Sequence, residues 1–258
     1  MHYKYLKNNP ISTPLGENRT SGIRLKRVAL VALSFVMVAS ATLSPAPDPA
    51  EVIRNDSKLQ SIESQSRPQN GAPAFGPPYV KLVKEYAARY GVDYRLVLAL
   101  VRQESRFDAE AVSNRGAFGL MQIMPPTGSE ISERLELPNL HSLRGNLHGG
   151  VYYFSRIMTM FPGLDEESRL RLSLAAYFAG PARIYDAQDI AAYMGQDPTS
   201  WRTIKGTLPL LSKRYYSLHQ AVWEGGRPRN GYFRSWRATL SYVDNVMENY
   251  KDYQRRMD

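Results

Sequence analysis

Glu104 is the residue whose surroundings in the sequence most readily support chemistry. Val97, Leu100 and Val101 lie seven, four and three positions before it, so on a helix all four share one face. A carboxyl at the end of an apolar stripe points into a core or a cleft. Desolvation there disfavours its charged form, as does the negative end of the helix dipole. Both raise the pKa towards the range in which a carboxyl delivers and recovers protons near neutral pH. A glutamate near a helix end can equally pair with a neighbouring arginine, and Arg102 and Arg106 are both at hand. The stripe alone leaves the two uses open.

The segment from Ser113 to Pro125 (SNRGAFGLMQIMP) adds a second signal. Its glycines and mixed polarity suit a loop that approaches a ligand closely. Ser113 and Gln122 can donate and accept hydrogen bonds, and Met121 and Met124 offer adaptable apolar walls. Composition removes other chemistries. The chain has no cysteine, so it has no disulfide, thiolate ligand or thiol nucleophile. Its four histidines (His2, His141, His148 and His219) have no tight metal-ligand spacing, and neither a metal nor another cofactor is expected.

The elements that must position these residues read as helices. Val80, Val83, Ala87 and Tyr90 recur at helical spacing after Pro77-Pro78, and Gly91 stops the run. Asp93 can cap a second helix reaching about Phe107. A third stripe comprises Leu147, Val151, Phe154, Met158 and Phe161. Asp165 caps a fourth helix through Leu170, Leu174 and Tyr177, ended by Gly180-Pro181, and a last helix covers about 238–250. No sustained strand alternation appears, so the expected class is all-α, a single domain, with irregular loops around 108–130 and 195–235.

Before the domain, Val28–Leu43 is a 16-residue uncharged apolar run behind Arg24, Lys26 and Arg27. With Ala39-Ser40-Ala41 it predicts either a signal peptide cleaved after Ala41 or an uncleaved signal anchor, residues 28–43 then holding the protein to the membrane. Both imply export to the periplasm or cell envelope. Residues 42–76, rich in proline, serine, glutamine and asparagine, read as a disordered linker, and the folded part is 77–258. The net charge is +9, of which Lys4, Lys7, Arg19, Arg24, Lys26 and Arg27 against Glu17 place +5 in the first 41 residues. The milder remainder suits a polyanionic cell wall. No basic-aromatic motif marks a nucleic-acid reader, and no nucleic-acid partner is expected.

Glu104-Ser105-Arg106-Phe107, the run Gly116 to Pro125, and Ala176-Tyr177-Phe178-Ala179-Gly180 resemble, in order and spacing, three motifs of the soluble lytic transglycosylase (SLT) family. Asn146, Gly150 and Tyr153 are similar to its pattern between the second and third motifs. Trp201, Ile204, the run Leu208 to Leu211 and Tyr215-Tyr216 resemble the catalytic part of membrane-bound lytic murein transglycosylases of the F type. The chain is expected to be too short for their amino-terminal solute-binding module. The resemblance covers roughly residues 79–253. It implies a goose-type lysozyme-like helical fold and a peptidoglycan glycan-strand substrate.

It also implies residue roles. Glu104 would act alone, first as acid and then as base. Ser113 and Gln122 would hydrogen-bond the sugar, and Met121 and Met124 would line the groove. Tyr177 would sit within reach of Glu104, and Tyr242 would support the far wall. Two positions depart from the family pattern: Phe178 stands where asparagine is usual, and Ala238 where glutamate is usual. Together they predict a drier, slower cleft, with core packing as the plainer reading of Phe178. A lysozyme-like hydrolase and a wall-binding protein without turnover remain the competing expectations.

Overall fold

The computed structural model describes residues 80–257. The expected export segment (1–41), the expected linker (42–76) and the first residues of the expected domain (77–79) lie outside the described residues. Among the described residues the chain is helical, with isolated β-bridges and no named strand.

Helix α1 (Val80–Tyr90) and helix α2 (Tyr94–Ser105) are joined by a short turn at Gly91. Asp93 caps α2 by accepting from the Arg95 N–H at 2.8 Å. The apolar pattern of α2 is broader than one stripe. Leu96 to Val101 are six consecutive buried residues, so α2 is encased and serves as the central helix of the domain. Burying each large side chain there stabilises the fold by about 1.5–3 kcal/mol. The helix ends at Ser105 because Arg106 turns left-handed (φ 54°) and returns its N–H to the Arg102 carbonyl at 3.1 Å.

Helix α3 (Pro125–Leu135) corrects the expected loop over 108–130, whose last residues are helical. Pro125 and Pro126 occupy its opening positions, where a missing N–H costs nothing. Helix α4 (Leu143–Met158) carries the predicted third stripe as far as Met158, and Phe161 is buried just beyond its end. Helix α5 (Glu166–Ala179) is capped by Asp165, which accepts from the Ser168 N–H at 2.8 Å. Gly180 (φ 89°) ends α5, and Pro181 at once opens helix α6 (Pro181–Tyr193).

The region expected to be irregular, 195–235, contains short helices α7 (Trp201–Thr207) and α8 (Tyr216–Val222). Between them lie two single-turn 3₁₀ segments, Leu208–Leu211 and Lys213–Tyr215. Helix α9 (Trp236–Arg256) is longer than predicted at both ends. It packs against α2 and α5, while α4 lies between α1 and α5.

Helix α9 is bolted to both ends of α2. The Tyr250 hydroxyl donates to Asp93 at 2.9 Å, at the start of α2. The Tyr242 hydroxyl donates to Glu104 at its end. The early residue of α9 meets the late residue of α2, so the two helices run antiparallel.

Candidate active site

The site is assembled at the C-terminal end of α2. Glu104 is half-buried, with its carboxyl sunk among neighbours. Removal from water pushes its pKa up from the ordinary 4.5 to about 7, against the opposing pull of the Tyr242 hydroxyl, which donates to Oε1 at 2.5 Å. Among the described residues, burial and Tyr242 are the influences on this carboxyl, and no neighbouring carboxylate or cation adds to them. A group half-protonated near neutrality can give a proton and take one back.

Tyr242 is therefore a direct partner of the acid, a contact beyond the wall support expected of it. Its hydroxyl is itself held protonated far above the usual tyrosine range by burial and the nearby carboxyl. Tyr177 is also close enough to feel the charge of Glu104, but its hydroxyl donates to the Met121 carbonyl at 2.7 Å. It fastens α5 to the loop.

That loop, residues 111–124, is a tight structure rather than an open flap. Phe118 and Ile123 exchange backbone hydrogen bonds at 3.2 and 3.0 Å, and Gly119 N–H donates to the Ala111 carbonyl at 2.9 Å. Ser113 accepts from the Ala117 N–H at 3.0 Å through Oγ. Gln122 donates its amide to the carbonyls of Ala111 and Gly119, each at 3.0 Å. Both polar side chains assigned to a sugar thus spend hydrogen bonds on building the loop. What they retain for a ligand is the serine hydroxyl proton with its second lone pair, and the glutamine amide oxygen.

Met121 contradicts its expected place on the groove wall, because it is 0% exposed. Its side chain fills the space left by the missing side chain of Gly150, where an added Cβ would lie 2.5 Å from the Met121 Cβ. Met124 is half-buried and occupies the N-cap position of α3. The loop is pinned from below by Asn146 of α4, which is almost fully buried. Its Oδ1 accepts from the Met121 N–H, and its Nδ2 donates to the Phe118 carbonyl. Asn146 carries no chemistry. Its sequence signal is a lone amide on a helix face otherwise occupied by small and apolar residues.

Phe178, by contrast, belongs to the site and not to the core. It is 43% exposed, which removes the core-packing reading. Its ring stacks on Tyr242 with centroids 4.5 Å apart and planes 28° from parallel. Ala238, one turn before Tyr242 on α9, is exposed. Among the described residues no group of three or more histidine, aspartate and glutamate side chains could hold a metal ion.

Residues 81–197 match the family model of the transglycosylase SLT domain. The chain is 36% identical over 180 residues to membrane-bound lytic murein transglycosylase F 1 of Alkalilimnicola ehrlichii, a match covering 69% of this chain and 34% of the relative. It is 36% identical over 177 residues to membrane-bound lytic murein transglycosylase F of Desulfosudis oleivorans, covering 67% and 36%. The chain thus spans about a third of the length of these curated relatives. Among solved structures it is similar to an inactive mutant of lytic transglycosylase Slt from Pseudomonas aeruginosa, at 24% identity and a TM-score of 0.46. That match covers 79% of this chain and 29% of the other. With its acid at the end of a buried helix and its loop fastened beneath, the described domain belongs to the transglycosylase SLT family.

Proposed function

We propose that the protein is a peptidoglycan lytic transglycosylase that cleaves the β-1,4 bond between N-acetylmuramic acid and N-acetylglucosamine, with Glu104 as the single acid and base. The observation that carries this reading is a carboxyl sunk at the end of α2 and held by one tyrosine hydroxyl, its pKa raised by burial to about 7, with no second carboxylate acting on it among the described residues. A glycosidase that uses two carboxylates needs the second to serve as nucleophile or to activate water. With one, a nucleophile carried by the substrate itself completes the reaction without that second group. Protonated Glu104 gives its proton to the glycosidic oxygen, and the bond from that oxygen to C1 of the muramoyl residue breaks. The resulting carboxylate takes the proton of the muramoyl 6-hydroxyl, whose oxygen closes on C1 as a 1,6-anhydro ring. Glu104 ends protonated and no water is consumed.

Ser113, through its hydroxyl, and Gln122, through its amide oxygen, bind the sugar beside the reacting centre. Met124 contributes an apolar edge. Tyr177 acts at one remove by holding the loop, and Tyr242 by orienting the acid. The protein is exported, and residues 28–43 direct it to the envelope as a cleaved signal or a retained anchor, consistent with relatives named membrane-bound.

The test is mass spectrometry of the muropeptides released from purified sacculi by the full-length protein. Anhydro-muropeptides, one water lighter than hydrolysed ones, are expected. Hydrated ends would replace the reading with a hydrolase. Glu104→Gln should abolish release, since general acid–base catalysis contributes about 10²–10⁴-fold. Binding to sacculi without any release by the parent protein would favour a wall-binding role.

A further inference from the structure

Phe178 is exposed on one side and stacked on the other. The residue it stacks on is the partner of the acid. Tyr242 is buried and reaches Glu104 with its hydroxyl at 2.5 Å. One face of its ring is covered by the Phe178 ring at 4.5 Å, close to parallel. A tyrosine on a helix has only its two side-chain torsions with which to place its hydroxyl, and an offset stack restricts both. We infer that Phe178 is a positioning residue: by clamping the Tyr242 ring it holds the hydroxyl on the carboxyl of Glu104.

The neighbouring residue gives this placement its sense. Tyr177 and Phe178 are consecutive at the end of α5 and reach two different elements. Tyr177 ties down the 111–124 loop through the Met121 carbonyl, and Phe178 grips Tyr242 on α9. The end of α5 therefore braces both sides of the acid. A polar side chain at position 178 would offer no ring to stack on Tyr242. The substitution away from the asparagine of the family motif thus supplies a contact as well as removing a polar group. A phenyl ring with its outer face in water adds little to the core, so its value lies in what it holds.

This inference rests on the proposed role of Glu104 for its consequence in catalysis, but its test does not require turnover. The titration of Glu104 is followed by NMR of full-length protein carrying glutamate labelled with ¹³C at the carboxyl carbon, with the Glu104 signal assigned by its loss in Glu104→Gln. The other ionisable groups facing this carboxyl are Tyr242 from α9 and Tyr177 from α5, and both stay protonated throughout the range. Parent protein should titrate near pH 7. Tyr242→Phe keeps the ring and removes the hydroxyl that favours the carboxylate, so its midpoint should rise. Phe178→Ala should raise it in the same direction, and should add nothing in the Tyr242→Phe background, where no hydroxyl remains to be oriented. Phe178→Tyr, which keeps a ring to stack, should titrate like the parent.

On sacculi, Phe178→Ala should slow release about three- to tenfold, the size of one aromatic stack. An unchanged midpoint in Phe178→Ala overturns the inference. So does a lower midpoint, which would make the phenyl a cover against water, or an equal rise in the Tyr242→Phe background. If the parent protein titrates as described yet releases no muropeptide, the enzymatic reading fails while the positioning role stands.

Discussion

Asn146 and Met121 lie 25 residues apart, on α4 and in the loop beside the acid, and are joined by a hydrogen bond from the Met121 N–H to the Asn146 side chain at 2.9 Å. The same side chain donates to the Phe118 carbonyl at 3.1 Å. Both backbone groups are buried, where an unpaired N–H or carbonyl is costly. The loop therefore takes its shape from an amide on a rigid helix.

Asn146→Ala should lower unfolding free energy by about 2–4 kcal/mol, since two buried backbone groups lose their partner. Asn146→Asp keeps the acceptor for Met121 but loses the donor for Phe118 and buries a charge, and should be no better. Urea denaturation of both variants measures the cost.

Gly119→Ala should be comparably damaging. Gly119 has φ 74°, and an added Cβ would collide with the Asn146 amide. Left-handed strain and displacement of the pinning residue combine to cost about 2–4 kcal/mol. Sacculus cleavage should fall with it. Gly163→Ala, at a similar φ of 72° with open space around it, isolates the strain alone and should cost less.

Glu104 should make the domain less stable as pH rises. Its folded pKa of about 7 exceeds the ordinary 4.5. The folded state therefore holds a proton that the unfolded chain releases, and stability is lost across the window from about pH 4.5 to 7. The loss amounts to about 3 kcal/mol. Glu104→Gln should abolish this slope and be more stable than the parent at pH 8, with little difference at pH 4. Chemical denaturation at the two pH values measures it.

His148 should act in the opposite sense. It lies on α4 with Tyr86 stacked on its ring at 4.6 Å and the Tyr90 hydroxyl 2.6 Å from Nε2. Burial, with Arg89 and Arg144 nearby, lowers its pKa from 6.5 to about 4. The unfolded chain takes up the proton first, so stability falls as pH drops from about 6.5 to 4. Partial solvent access limits the contribution to about 1–2 kcal/mol. NMR titration should find the ring neutral at pH 6, and His148→Gln should flatten the acid side of the stability profile.

Local signals in the sequence are enough for the helix ends and the acid. Asp93 and Asp165 mark two helix starts because their side chains satisfy N–H groups within three residues, and Gly91 and Gly180 mark stops because the chain must turn left-handed there. The same local logic hides α3 and α6. Pro125-Pro126 and Pro181 read as breaks, although proline at a first helical position is also an opening. In the last turn of α9 (251–256) only Tyr253 continues the buried period, among five polar or charged neighbours. Long-range relations were out of reach. Met121 looks like a loop side chain until Gly150 brings α4 against it, and the link from Tyr242 to Glu104 spans 138 residues. Phe178 is visible as a departure from a motif, but its meaning depends on which ring it meets.

The bolting of α9 across α2 has a consequence for how the protein comes into being. Glu104 leaves the ribosome long before Tyr242 has been translated, and the family match ends at residue 197, well short of it. Until α9 is made and docks, the carboxyl lacks both its hydroxyl partner and the packing of α9 against α2. The site is thus completed by a segment made well over a hundred residues after the acid itself. A chain interrupted between residues 181 and 235 carries every residue of the first three motifs but lacks Tyr242, the hydroxyl partner of Glu104.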